Sequence, residues 1–258
     1  MCSIGTGDFV GIDLYVLKLL SHHREKWGPL GKTLQIGRQG IHISETAWTF
    51  ADTILKGHGI ERSFFEAGGS EQFSDRLFQS LGATEVLACD ASGYEGATLI
   101  HDFNEPLGEK WLRQFDTVFD GGSLEHIFNV PVALGNMMAA VTIGGRIISI
   151  NGANNFLGHG LYQFSPELYF RVFSPENGFR ILDLFIVPTG GAPTLPAEMD
   201  PKKAGKRIEP APSPHRSYLM MIAEKTEERV PFQSWPQQSD YTSAWEKTKH
   251  PGDIGRQS

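Results

Sequence analysis

The segment Phe115-Asp116-Thr117-Val118-Phe119-Asp120-Gly121-Gly122-Ser123-Leu124-Glu125-His126 decides how the chain is read. It opens with a short apolar, β-prone run, which Asp120 and two glycines end. A helical run follows over residues 123–141, with Pro131 as an interruption. Strand, acidic turn, glycine and helix make the unit from which parallel sheets are built, because parallel neighbours need a crossover connection.

The unit recurs on both sides. Upstream, residues 33–36 read as a strand closed by Gly37, and a helix over 70–81 feeds a strand over 85–89 that ends at Asp90. A strand over 97–101 and the polar loop Asp102-Phe103-Asn104-Glu105-Pro106 come next. Downstream, Gly144-Gly145 turns the chain into a strand over 146–150, and the Asn/Gly-rich loop 151–160 leads to a helix opened by Ser165-Pro166-Glu167, a serine N-cap followed by proline. Residues 179–187 and 218–223 read as two strands with no crossover helix between them, which predicts an antiparallel edge on a mostly parallel sheet. The expected architecture is a doubly wound α/β sheet, with ligands outside the carboxyl ends of its strands. The residues at those ends are Gly37, Asp90, Asp102, Asp120 and Asn151.

Around this domain, taken as 33–225, the chain carries a leading helix over 9–27 (Val10, Leu14, Leu17, Leu20) within segment 1–32. The adjacent His22-His23 reads as surface. Residues 41–69 form an insertion containing one amphipathic stretch, 44–56. Residues 226–258 are polar and proline-spaced, with Trp235, Tyr241 and Trp245 as the large side chains; no strand or periodic helix is expected there, and these aromatics are candidates for self-association into a homo-oligomer.

Composition narrows the function. With 258 residues, 40% apolar and 21% charged, the chain can bury a core. A formal charge of −7 offers no general reason to bind nucleic acid. No apolar run reaches the ~18 residues of a membrane helix, and the first residues lack the pattern of a secretory signal, so a cytoplasmic protein without a membrane partner is expected. Cys2 and Cys89 suggest no disulfide framework, and no Cys or His spacing suggests a zinc site, so no metal is expected.

With these elements in place, residues 33–224 resemble the class I S-adenosylmethionine-dependent methyltransferases, whose Rossmann-like seven-stranded sheet ends in an inserted antiparallel strand. The resemblance rests on Cys89-Asp90-Ala91, Asp102-Phe103-Asn104, the run 115–120 with Leu124-Glu125-His126, and Gly144-Gly145-Arg146. It continues through residues 159–168 and Asn177-Gly178-Phe179. Gly37-Arg38-Gln39 and the stretch from His159 to Pro166 are also similar to segments of bacterial methyltransferase-domain proteins.

The resemblance implies S-adenosylmethionine as cofactor and a small-molecule or glycan acceptor. Asp90, with Ala91, would hold the ribose diol, a bidentate task suited to a carboxylate. Asp102 would accept from the adenine amine while Phe103 donates its amide and packs on the base. Asp120-Gly121-Gly122 would let backbone approach the nucleoside. The first turn, Ile36-Gly37-Arg38-Gln39-Gly40, lacks the family's middle glycine. Arg38 there either pairs with the cofactor carboxylate or fills the pocket. His126 and His159 are the candidate bases, with Glu125 favouring a helix dipole. Asn151, Asn154 and Asn155 either hold a polar substrate or satisfy loop backbone. A nucleotide-binding oxidoreductase lacks its Gly-x-Gly-x-x-Gly turn; a catalytically inactive methyltransferase-like scaffold is the alternative of a different class.

Overall fold

A computed structural model describes residues 11–61, 73–189, 200–207 and 213–248. Among them, one sheet contains β1 (Gly31–Ile36), β2 (Ala83–Asp90), β3 (Leu99–Ile100), β4 (Phe115–Gly121), β5 (Val141–Asn154), β6 (Phe179–Pro188) and β7 (Ser217–Lys225). Their order is β3-β2-β1-β4-β5-β7-β6. The pairings from β3 to β5 are parallel, whereas β7 runs antiparallel to both β5 and β6. β7 therefore lies one place in from the edge, as a strand does when it returns beside its predecessor without a crossover helix.

Alternate residues of the central strands supply two cores, following the period of two that a strand imposes. Leu34, Val118, Ile147 and Met221 pack with α4 (Val130–Ala140) and α5 (Pro166–Val172) on one face. Phe119, Ile148, Met220 and Ile222 pack with α1 (Leu14–Trp27), α2 (Trp48–Gly57) and α3 (Asp75–Ser80) on the other. Asp13 caps α1 by accepting from Val16 N at 2.8 Å, and Gly28 takes up a positive φ at its end. None of the helices described is long and apolar enough to cross a membrane.

Several local expectations change. The helical run expected over 123–141 splits into a 3₁₀ turn, Leu124–His126, and α4, whose first turn contains Pro131. Proline thus starts a helix here, where its missing N–H has no intrahelical partner to lose. β4 runs on through Asp120 to Gly121, placing the acidic residue inside the strand. β3 is only Leu99–Ile100. His23, read as surface, is fully buried, and burial, aided by Arg146, drives its pKa down to about 3; its neighbour His22 instead meets Asp183 at 3.1 Å. The C-terminal segment also differs, because Ser239–Thr248 forms α7 after a short α6 (Pro201–Ala204). Ser239 N and Oγ donate to Glu167 Oε1 at 2.8 and 2.7 Å, and Phe232 packs on the α4/α5 core. Of the helix expected over 70–81, the first residues lie outside the described residues, as do residues 62–69 of the insertion.

Candidate active site

The carboxyl end of β4 is organised by Asp120, which is fully buried. Its Oδ1 accepts from the backbone N–H groups of Ser123 and Leu124 at 2.8 and 3.2 Å. Its Oδ2 accepts from Ser149 Oγ at 2.8 Å and Asn151 Nδ2 at 2.6 Å. Tyr169 closes the network, its hydroxyl 2.9 Å from both Ser149 Oγ and Asn151 Nδ2. Burial raises the Asp120 pKa, and these four donors oppose the rise. Both oxygens are thus used inside the protein, tying the end of β4 to β5 and starting the 3₁₀ turn that carries Glu125 and His126.

That turn meets the loop after β5. Leu161 N donates to Glu125 O at 2.6 Å, and Gly152 N donates to Glu125 Oε2 at 3.1 Å. Gly160 has φ +71°, and a Cβ there would stand 2.9 Å from Glu125 O, so the close approach requires glycine. His159 is delivered beside the buried Glu125 carboxyl, with Nε2 3.1 Å from Oε1, and its ring lies 5.1 Å from that of His126 at an interplanar angle of 76°. Burial pushes the Glu125 carboxyl up to about 8; Asp120 adds to the rise and Gly152 N opposes it. Partial desolvation, with His159 nearby, lowers the pKa of the exposed His126. The sequence reading gave Glu125 only a helix-dipole role, and the one local hint of more was its position next to His126.

A small, open cleft borders this cluster. Gly121, Gly122, Glu125, Asn151 and His159 are among its lining residues, together with Gly11 and Tyr218. The last two were not among the residues singled out from the sequence. Asn154 and Asn155 point elsewhere, donating to Ser213 O at 3.3 and 3.1 Å.

The remaining candidates lie at the ends of β1, β2 and β3. Asp90 is partly exposed; its Oδ1 accepts from Ser92 N at 3.1 Å. Ala91, after it, is exposed. Asp102 is exposed and accepts from Asn104 N and Nδ2 at 2.9 and 2.8 Å, which lowers its pKa. The Phe103 side chain is a core residue at 4% exposure. Gln39 is buried, and its Nε2 donates to Ile36 O, Gly37 O and Ser123 Oγ at 2.9, 3.3 and 3.3 Å. A Cβ on Gly121 would stand 2.6 Å from Gln39 Oε1. In the turn where the sequence resemblance leads one to expect a further glycine, the Gln39 side chain bridges the ends of β1 and β4.

Arg38 is held in place. Nε and Nη2 donate to Asp75 Oδ2 at 3.2 and 3.1 Å, Nη1 donates to Glu95 O at 2.9 Å, and the guanidinium lies 4.2 Å from the Phe73 ring centroid. Arg38→Ala should therefore lower stability by about 1–2 kcal/mol, the sum of a partly exposed ion pair and a cation–π contact. Urea unfolding checks this, and an unchanged midpoint would show that these contacts contribute nothing. Cys89 is buried and its thiol pKa is pushed up to about 12, which makes it unreactive.

No family model matches the chain, and no curated protein matches it. Among solved structures, it is similar to the 1,6-didemethyltoxoflavin-N1-methyltransferase of Burkholderia thailandensis, at 18% identity and a TM-score of 0.44, over 82% of this chain and 78% of that one. That enzyme was solved with 1,6-didemethyltoxoflavin and S-adenosylhomocysteine bound. It is also similar to the N-methyltransferase NodS of Bradyrhizobium japonicum (10%, TM-score 0.45, 82% and 94% of the chains). A third is the branched-chain polyamine synthase of Thermus thermophilus (16%, TM-score 0.41), where 87% of this chain spans 60% of that one. The chain's own strand order, with β7 antiparallel between β5 and β6, gives it the Rossmann-like fold of the class I S-adenosylmethionine-dependent methyltransferases.

Proposed function

We propose that the protein is a cytoplasmic methyltransferase that moves a methyl group from S-adenosylmethionine to a small-molecule or glycan acceptor. The observation that carries this reading is the meeting of Glu125, His126 and His159 beside a cleft at the carboxyl ends of β4 and β5, next to Gly121-Gly122. The cofactor supplies an electrophilic methyl group when bound. The protein's part is to position the acceptor, exclude water and take up its proton. His159, which lines the cleft beside Glu125, and the neighbouring His126 are the groups we assign to the proton.

For the cofactor, the nucleoside half has suitable residues. Asp90, with Ala91, would accept from the ribose hydroxyls, and among the described residues no group donates to its Oδ2. Asp102 and the Phe103 backbone amide would meet the adenine, with Gly121 and Gly122 bringing backbone near the nucleoside, although the space a Cβ would take at Gly121 is filled by Gln39. Asp120 would act by fixing the strand ends rather than by touching the ligand. At the methionine end, Gly37, Arg38 and Gln39 form the turn, and the Gln39 side chain would have to be accommodated or moved. Calorimetric titration with S-adenosylmethionine and S-adenosylhomocysteine tests the reading. Asp90→Ala should weaken binding roughly tenfold to a hundredfold, since charge-assisted hydrogen bonds are worth about 1.5–3 kcal/mol. Equal affinity in the variant would remove Asp90 from the site.

Gln39 also favours the second reading, a methyltransferase-like protein without cofactor chemistry, because its amide takes the Ile36 and Gly37 carbonyls. Under that reading, wild type binds neither compound at millimolar concentration, and Gln39→Gly gains affinity for them by reopening the turn.

A further inference from the structure

We propose that Glu125, His126 and His159 form a binding site for one divalent transition-metal ion at the edge of the cleft. The observation is geometric: one ligand atom from each of these residues lies within 4.8 Å of the others. Ligand atoms around a metal at about 2.0–2.2 Å stand roughly 3–4 Å apart. Glu125 Oε1 and His159 Nε2 already meet this spacing at 3.1 Å. His126 is exposed, and a small turn of its ring completes the set.

The site is built from two separate stretches of chain that are fastened together independently of any ion. Asp120 pins the start of the 124–126 turn, Leu161 N holds the Glu125 carbonyl, and Gly160 permits the contact. Gly152 N holds Glu125 Oε2, leaving Oε1 turned to the histidine, the kind of outer hydrogen bond that orients metal-binding carboxylates. A second observation points the same way. Asn151, 1% exposed, lines the cleft with Glu125 and His159, and its Oδ1 is buried without a hydrogen-bond partner. Such an acceptor suits a water or hydroxyl bound at the ion.

The chemistry of the donor set selects the ion. Two imidazoles and one carboxylate suit zinc, cobalt, nickel or iron(II) better than magnesium or calcium, which prefer oxygen ligands. Three protein ligands leave a coordination position open, as in catalytic rather than structural sites. That position would hold an oxygen of whatever occupies the cleft. The inference shares its residues with the proposed function: with an ion bound, His126 and His159 are ligands and no longer free to take up the acceptor's proton, while the metal titration reads binding without reference to methyl transfer.

The test uses the full chain without an affinity tag, stripped with chelator and dialysed. Zn(II), Co(II) and Mg(II) are each titrated by calorimetry, with the Co(II) absorption spectrum and melting temperature followed in parallel. The expected result is one Co(II) or Zn(II) per chain, a raised melting temperature, and much weaker Mg(II) binding. His126→Ala and His159→Ala should each weaken Co(II) at least about a hundredfold. His126→Ala alters an exposed side chain, so its metal-free melt should match wild type and keep the comparison valid. Stoichiometry well below one, Mg(II) binding as tight as Zn(II), or a His126→Ala variant within threefold of wild type would each overturn the proposal.

Discussion

Asp120→Ala is expected to lower the unfolding free energy by about 2–4 kcal/mol, because buried neutral donors that lose their acceptor cost about 1–3 kcal/mol each and part of that is recovered by relaxation. The substitution strands the backbone N–H groups of Ser123 and Leu124, which donate to this carboxylate, and leaves the Asn151 amide with only Ser149 and Tyr169 as acceptors. Asp120→Asn should be only partly better, because a carboxamide presents a donor to a site in which every partner donates. Chemical denaturation of wild type and both variants decides the matter. A loss below about 1 kcal/mol for Asp120→Ala would mean that water or Tyr169 replaces the carboxylate.

The second large effect is a pH dependence. The folded protein holds the Glu125 proton up to pH about 8, against 4.5 for a free carboxyl, so folding takes up a proton between these values. The stabilising contribution of the protonated form is complete below the unfolded pKa and is lost as pH rises through the folded one. Wild type should therefore lose on the order of 2–4 kcal/mol relative to Glu125→Gln between about pH 4.5 and pH 8, because glutamine cannot ionise. Urea unfolding at about pH 5 and about pH 8.5, in chelator, measures the difference. A stability gap between the two proteins that is the same at both pH values would show that Glu125 titrates normally.

How much of this was legible in the sequence follows from the range of the interactions involved. The strands ending at Ile36, Asp90 and Gly121 announce themselves through short apolar runs closed by Gly or Asp, which are local signals. Ser165 declares itself as an N-cap by the residues next to it, and its side chain does accept from Leu168 N. Glu125 could not be understood this way. Its setting depends on Gly152, His159 and Leu161, brought to it only when β5 pairs with β4. The same holds for α7, whose sparse apolar residues give no periodic signal and whose first residue is held by Glu167 of α5. His23 failed for a related reason: nothing in its own helix reveals that the sheet's Arg146 lies near it. In the first turn, the missing glycine was visible, but not that Gln39 would bridge to Ser123 and lie against Gly121.

The position of β7 has a consequence for the order in which the molecule can be made. A growing chain exposes its β1–β5 portion to the cell well before residues 217–225 leave the ribosome. Until then β5 has no partner along one side, and Ile147, Ile148 and Ile150 sit on an open edge of the kind that templates unwanted pairing. Tyr218, which lines the cleft with His159, belongs to this late strand. The cleft is thus among the last features to be assembled, and a nascent chain cannot engage a ligand there until its sheet is closed.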